Sequence, residues 1–283
     1  MMAMRAVALW LALLVPGVAQ AEAIAIPFAP PVDRNLTYRI EQHRPVEGKI
    51  SRFTATRDLR FDKVADGYIL HATLRTIDSD APASGAEPYA AALTPLIGVE
   101  HRFHVDARGQ ITALDNMDAV WSAVEAGLAK MQATFAPDTP RHKAVLSVQA
   151  LLSGLSPEGR LALLAGELRP IFLFAGDTVE DGAGRSVRTV AGAPLGRPVP
   201  VEGVLRVTAR SDAALDLDEQ LAGQGIAVGV TYHLSRRTGL IEQQQRNLAL
   251  GTRAVTEKRD LTLDRNTEIG TVPRPLAPAM RRD

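Results

Sequence analysis

The chain contains no cysteine. That excludes disulfides, a thiol nucleophile, thiolate metal sites and a lipid on an N-terminal cysteine. Aromatic residues are scarce, at 5% of 283 positions. Of the 32 basic residues, only Lys49, Lys63, Lys130, Lys143 and Lys258 are lysine. This arginine- and alanine-rich composition fits a GC-rich bacterial genome. Acids and bases balance to a formal charge of zero, so the basic excess of a nucleic-acid binder is missing. Long apolar runs are missing too. The most apolar stretch of the later chain, residues 170–175 (PIFLFA), falls far short of the roughly 20 residues a spanning helix needs.

The N-terminus carries a targeting pattern. Arg5 precedes an apolar run from Ala6 to Val15, Pro16 and Gly17 break it, and Ala19-Gln20-Ala21 offers a small-x-small cleavage site. We read residues 1–21 as a cleaved secretory signal, with Glu22 as the new N-terminus and Ala23 as a second possible cut. The expected destination is the periplasm. The product is expected to be soluble or peripheral, with no transmembrane segment after cleavage. Residues 22–283 are read as one exported domain, long enough to bury a core without staples.

Residues 22–34 hold three prolines without periodicity and read as an extended arm. Alternation follows. Leu36, Tyr38 and Ile40 mark one strand; Phe53, Ala55, Leu59 and Phe61 share one face of the next, interrupted only by Arg57. Asp66-Gly67 signals a hairpin, after which Tyr68, Leu70, Ala72 and Leu74 alternate. Residues 78–95 are small, polar and proline-bearing in their first half and read as a long flexible loop. Val99, His101, Phe103 and Val105 resume the strands.

The period then changes to helical. Met117, Val120, Trp121, Val124, Leu128 and Met131 fall on one stripe. Ser156-Pro157-Glu158 is a capped helix start. Residues of about 116–169 are therefore a central helical insert. Strands return after Gly176, with the cleanest alternation at Ile226, Val228, Val230, Tyr232 and Leu234. Residues 271–283 carry three prolines and read as a disordered tail. The fold class expected is α+β: a large curved, mostly antiparallel sheet of about 10–11 strands, with the insert packed on one face.

The hairpin from Tyr232 to Gln243 (YHLSRRTGLIEQ) and the order strands, helices, strands behind a signal resemble the outer-membrane lipoprotein carrier superfamily. The central position of the helical block departs from the carrier's own order. The resemblance implies a concave apolar face able to hold acyl chains. It transfers no individual residue.

Candidate chemistry is sparse. His101 and His104 sit on opposite faces of a strand and cannot easily share an ion. No serine shows a nucleophile elbow, and the turn at residues 182–184 lacks the lysine of a phosphate loop. We expect no catalytic residue, no metal and no cofactor. Met117, Trp121 and Met131, together with Phe172 and Phe174, either line an apolar ligand cavity or form an ordinary helix–sheet contact. The leading expectation is a periplasmic, non-enzymatic binding or chaperone-like module for an acyl chain, lipid or lipoprotein. The alternative is an envelope structural or assembly factor that binds a protein partner. A hydrolase ranks third.

Overall fold

The computed structural model describes residues 22–191, 199–251 and 253–264. Residues 1–21, read as a signal, residues 271–283, read as a tail, and most of the proline-punctuated connection near residue 195 lie outside the described residues.

One antiparallel sheet of 11 strands dominates the molecule. Its first meander comprises β2 (Asn35–Val46), β3 (Lys49–Val64), β4 (Gly67–Ser79), β5 (Glu100–Asp106) and β6 (Ile111–Leu114). The second comprises β8 (Arg185–Ala191), β9 (Val199–Arg210), β10 (Ala214–Gly223), β11 (Ile226–Ser235), β12 (Ile241–Leu250) and β13 (Arg253–Leu263). The meanders join where the last strand meets the first of the sheet, from Thr256↔His43 to Leu263↔Leu36. The order is β6-β5-β4-β3-β2-β13-β12-β11-β10-β9-β8. The expected large antiparallel sheet with a central helical block is what the chain forms.

Alternation explains the two cores. Leu36, Tyr38, Leu59, Phe61, Leu70, Phe103 and Val105 point inward from the first meander into one cluster. Leu205, Leu215, Leu217, Val228, Val230 and Leu234 do the same in the second. Their opposite-facing neighbours are mostly polar, so the strands have one dry and one wet face. Three helices follow β6: α2 (Met117–Thr134), α3 (Pro140–Ser153) and α4 (Pro157–Ala165). The predicted cap forms, with the Gly159 N–H donating to Ser156 Oγ at 3.2 Å. Thr139 caps α3 in the same way through the His142 N–H.

Two segments differ from the sequence reading. The stretch expected to be a loop from residue 78 to 95 continues β4 to Ser79 and then forms a helix, α1 (Ala83–Leu93), before a 3₁₀ turn at Thr94–Leu96. Alanine, the best helix former, supplies five of its 11 positions and outweighs the glycine and proline. The helix buries no residue completely. It docks on α2 at Gly127, where a Cβ would stand 2.8 Å from the Ala92 carbonyl oxygen. The arm also contains a strand, β1 (Glu22–Ala25), paired with β7 (Thr178–Asp181). Ile24 and Ile26 explain it: both point into the second core, at 4% and 2% exposure. Farther along, the arm passes so close to the β11–β12 turn that a Cβ on Gly239 would meet the Pro27 carbonyl.

Among the described residues, no helix is long and apolar enough to cross a membrane.

Candidate functional site

Arg57 interrupts the apolar face of β3, and that interruption marks the most distinctive part of the inner surface. Its side chain is buried, with the residue 7% exposed. A charge there requires a partner. Glu167, in the connection after α4, provides it: Arg57 Nη2 donates to Glu167 Oε2 at 2.5 Å. The Glu167 backbone carbonyl accepts two further bonds, from Tyr38 OH at 3.2 Å and from Arg259 Nη1 at 2.9 Å. Arg259 Nε donates to Glu257 Oε1 at 2.8 Å, and Gln42 Nε2 donates to Glu257 Oε2 at 3.3 Å. One continuous set of bonds thus runs from β13 through β2 to β3 and fastens the helical block to the sheet.

Strand register shows what this set divides. Gln42, Glu257, Arg246 and Val230 are successive cross-strand neighbours in one row; Ile40, Arg259, Gln244 and Tyr232 make the next. A polar seam on β2, β13 and β12 therefore lies between the two apolar cores. The connection from Glu167 to Phe174 spans it. Phe172 enters the first core beside Phe28 and Phe61, and Phe174 enters the second beside Tyr232.

Burial alters the ionisable groups along this surface. It pushes the Tyr38 hydroxyl up to about 12, against the pull of Arg259. It pushes His101 down to about 4, helped by the nearby Arg57 charge, so this imidazole is neutral at pH 7. Tyr89 rises to about 12, mainly through burial. Its hydroxyl donates to the Thr54 carbonyl at 2.9 Å and so ties α1 to β3. As the strand period requires, His101 faces inward while His104 faces outward and pairs with Asp115 at 2.5 Å.

An opening lies at one end of the seam. The β12–β13 ladder begins at Gln243↔Asp260, whereas β13 continues to Leu263, paired there among the described residues with β2 alone. The resulting cleft has a volume of about 380 Å³. Leu36, Leu240, Leu261 and Leu263 line it, with Arg237 and Glu242 at its rim. Leu263 is 43% exposed, and Leu36 and Leu240 belong to the first core. Arg237 makes no ion pair among the described residues, while Asp260 is held by Lys258 at 3.0 Å. On the outer face, two shallower hollows of about 310 and 390 Å³ meet at Thr231. The first has Gln243 and Gln245 beside the Asp216–His233 pair, and the second is lined mainly by apolar residues, among them Val228, Leu248 and Val255.

The five apolar residues expected to share a cavity are distributed over three clusters. Met117 and Phe172 pack with the first core. Trp121 and Met131 pack among the helices with Leu128 and Leu152. Phe174 lies in the second core. None of these five lines the opening between β12 and β13. Sequence reasoning missed the opening because its walls come from segments some 200 positions apart. The one available signal was Arg57, a charge on an otherwise apolar strand face.

Neither a protein-family model nor a curated protein matches the chain. Among solved structures, it is similar to one described as "Lipid-protein interactions in lipovitellin", with a TM-score of 0.40 and 9% identity. The likeness covers 82% of this chain and 25% of that one, so the chain spans about a quarter of lipovitellin's length. A likeness at that level identifies neither a family nor a ligand.

Proposed function

We propose that this protein is a non-catalytic binding module, acting in the periplasm after export, that takes the acyl chain of a lipid or lipoprotein. The observation that carries this reading is the opening between β12 and β13. There the ladder stops, and leucine side chains from β2, β13 and the β11–β12 turn line a cleft that leads into a packed apolar core. Apolar groups in a concave site, with a few polar groups at its rim, suit an alkyl chain. Each methylene transferred from water contributes about 0.8 kcal/mol.

Binding of a fluorescent dansyl-undecanoic acid to the purified full-length chain tests the proposal. Saturable binding is expected. Leu263→Glu, at a half-exposed position on the cleft wall, is expected to weaken it about tenfold, equivalent to about 1.4 kcal/mol, with the fold intact by circular dichroism. Affinity unchanged by Leu263→Glu contradicts the assignment.

A second reading, an assembly factor that binds a protein, rests on β8. Among the described residues this strand pairs only with β9, and its Val190 is 63% exposed. Such an edge can accept an added strand. Thr189→Pro is then expected to abolish complex formation with a partner protein while leaving acyl binding intact.

A further inference from the structure

The mouth of the cleft between β12 and β13 carries two charges of opposite sign that the fold itself does not use. Arg237, in the β11–β12 turn, and Glu242, on β12, both line the cleft. Neither side chain makes a hydrogen bond or an ion pair among the described residues, and the two do not pair with each other. The other carboxylate of the lining, Asp260, is already held by Lys258 at 3.0 Å.

Both charges stand on fastened backbone. In the turn, the Arg236 N–H donates to the Ala213 carbonyl at 2.9 Å and the Gly239 N–H to the Ser235 carbonyl at 2.8 Å. The Thr238 carbonyl accepts from the Ala29 N–H of the arm at 2.9 Å. Glu242 follows Ile241, which pairs with Leu234 of β11. A mouth held in this way loses little freedom when a ligand arrives.

Below the mouth the lining is hydrocarbon. Leu36, Leu240 and Leu261 form a buried floor, at 4%, 2% and 6% exposure, and Leu263 is a half-exposed wall. The volume of about 380 Å³ lies near the small end of ligand sites and suits one chain rather than two.

The charges select the head of the molecule that carries this chain. A purely anionic head pairs with Arg237 but sets its charge against Glu242, and like charges brought together disfavour a partner. A head with both a phosphate and a primary ammonium satisfies each group. Its phosphate oxygens accept from the guanidinium, and its ammonium donates to the carboxylate. A phosphocholine head has the same charges, but its quaternary nitrogen has no hydrogen to donate.

We propose that the cleft takes a single-chain phospholipid with a phosphoethanolamine head: the acyl chain on the leucine floor, the phosphate on Arg237 and the ammonium on Glu242. This assignment rests on the acyl-binding reading and names the class of lipid that the same cleft accepts.

Displacement of dansyl-undecanoic acid from the purified full-length chain tests it, with three lauroyl lysophospholipids kept below their micelle concentrations. Lysophosphatidylethanolamine is expected to displace the probe at about fivefold lower concentration than the lysophosphatidylglycerol or lysophosphatidylcholine of the same chain, the value of one partly exposed charge-assisted contact. Glu242→Gln is expected to abolish the preference over the glycerol head. Arg237→Gln is expected to weaken the ethanolamine and glycerol lipids alike, about threefold. Both variants should leave the circular dichroism unaltered. Equal displacement by all three lipids, tighter binding of either other head, or a preference that survives Glu242→Gln overturns the head-group assignment and leaves the acyl reading standing. Absence of saturable probe binding overturns the acyl reading, and this assignment with it.

Discussion

The two halves of the sheet are built from the same alternating strands but are covered differently. The second meander is sealed by apolar side chains, Ile24 and Ile26 from the arm, Val179 from β7, and Phe174, while Glu22 and Asp181 of the same segments pair with Arg210 at the surface. The first is covered by helices and the connection after α4, and it encloses an aromatic cluster of Phe28, Phe61, Tyr68 and Phe172 together with Arg57 and His101. Its inner side keeps Arg57 Nε without a partner, and at the seam the second half keeps Gln244 Oε1 in the same state. The comparison assigns different duties to the two halves. Under the acyl-binding proposal, the second supports the sheet, and the first, with the seam beside it, is the half that meets the ligand.

The largest expected effect that sharpens this contrast is on packing. Phe61→Ala removes a fully buried ring touching three other aromatics. Urea unfolding should show a loss of about 3–5 kcal/mol, whereas Val190→Ala, on the exposed edge of the other half, should stay within about 0.5 kcal/mol.

Acid stability should follow the first half. The His101 imidazole is held down to about 4 by burial and Arg57. Its folded pKa is therefore below its unfolded value of about 6.5. Between those values the unfolded chain binds the extra proton. The stability linked to His101 is thus present above about pH 6.5, falls as the pH drops through the window, and is fully lost near pH 4. The contribution is on the order of 3 kcal/mol. His101→Leu should flatten the fall in melting temperature across that window. An unchanged slope would remove His101 as its source.

A smaller effect is expected at the fastening between sheet and helical block. Glu167→Gln weakens a charge-assisted bond to a buried arginine and should cost about 2 kcal/mol. Hydrogen exchange should quicken in α4 before it does in β10 and β11. Smallest of all is the ion pair Arg188–Glu202 on the far edge, whose side chains are 86% and 69% exposed. Glu202→Gln should leave the unfolding midpoint unchanged.

Much of the architecture was legible in the chain because strand and helix periods are local properties. The alternation at Ile226–Leu234 and the capped start at Ser156 each appear where expected. The strand at Glu22–Ala25 was hidden because its cause, a place for Ile24 and Ile26, lies in a core assembled from distant segments. Helix α1 was hidden because turn-forming residues drew more weight than its alanines. The site was the least legible part. Helical spacing shows that Met117, Trp121 and Met131 are apolar-facing, but it does not say which neighbours they meet. Glu167 is 110 positions from Arg57, and no local pattern joins them.

Native mass spectrometry of the protein purified from its own source, before and after solvent extraction, tests the central claim most directly. A bound mass of an acyl-bearing acid or lipid that is lost on extraction, and is much reduced in Leu263→Glu, is the expected result. A single ligand-free mass both before and after extraction, from protein that also fails to take up laurate, would contradict it.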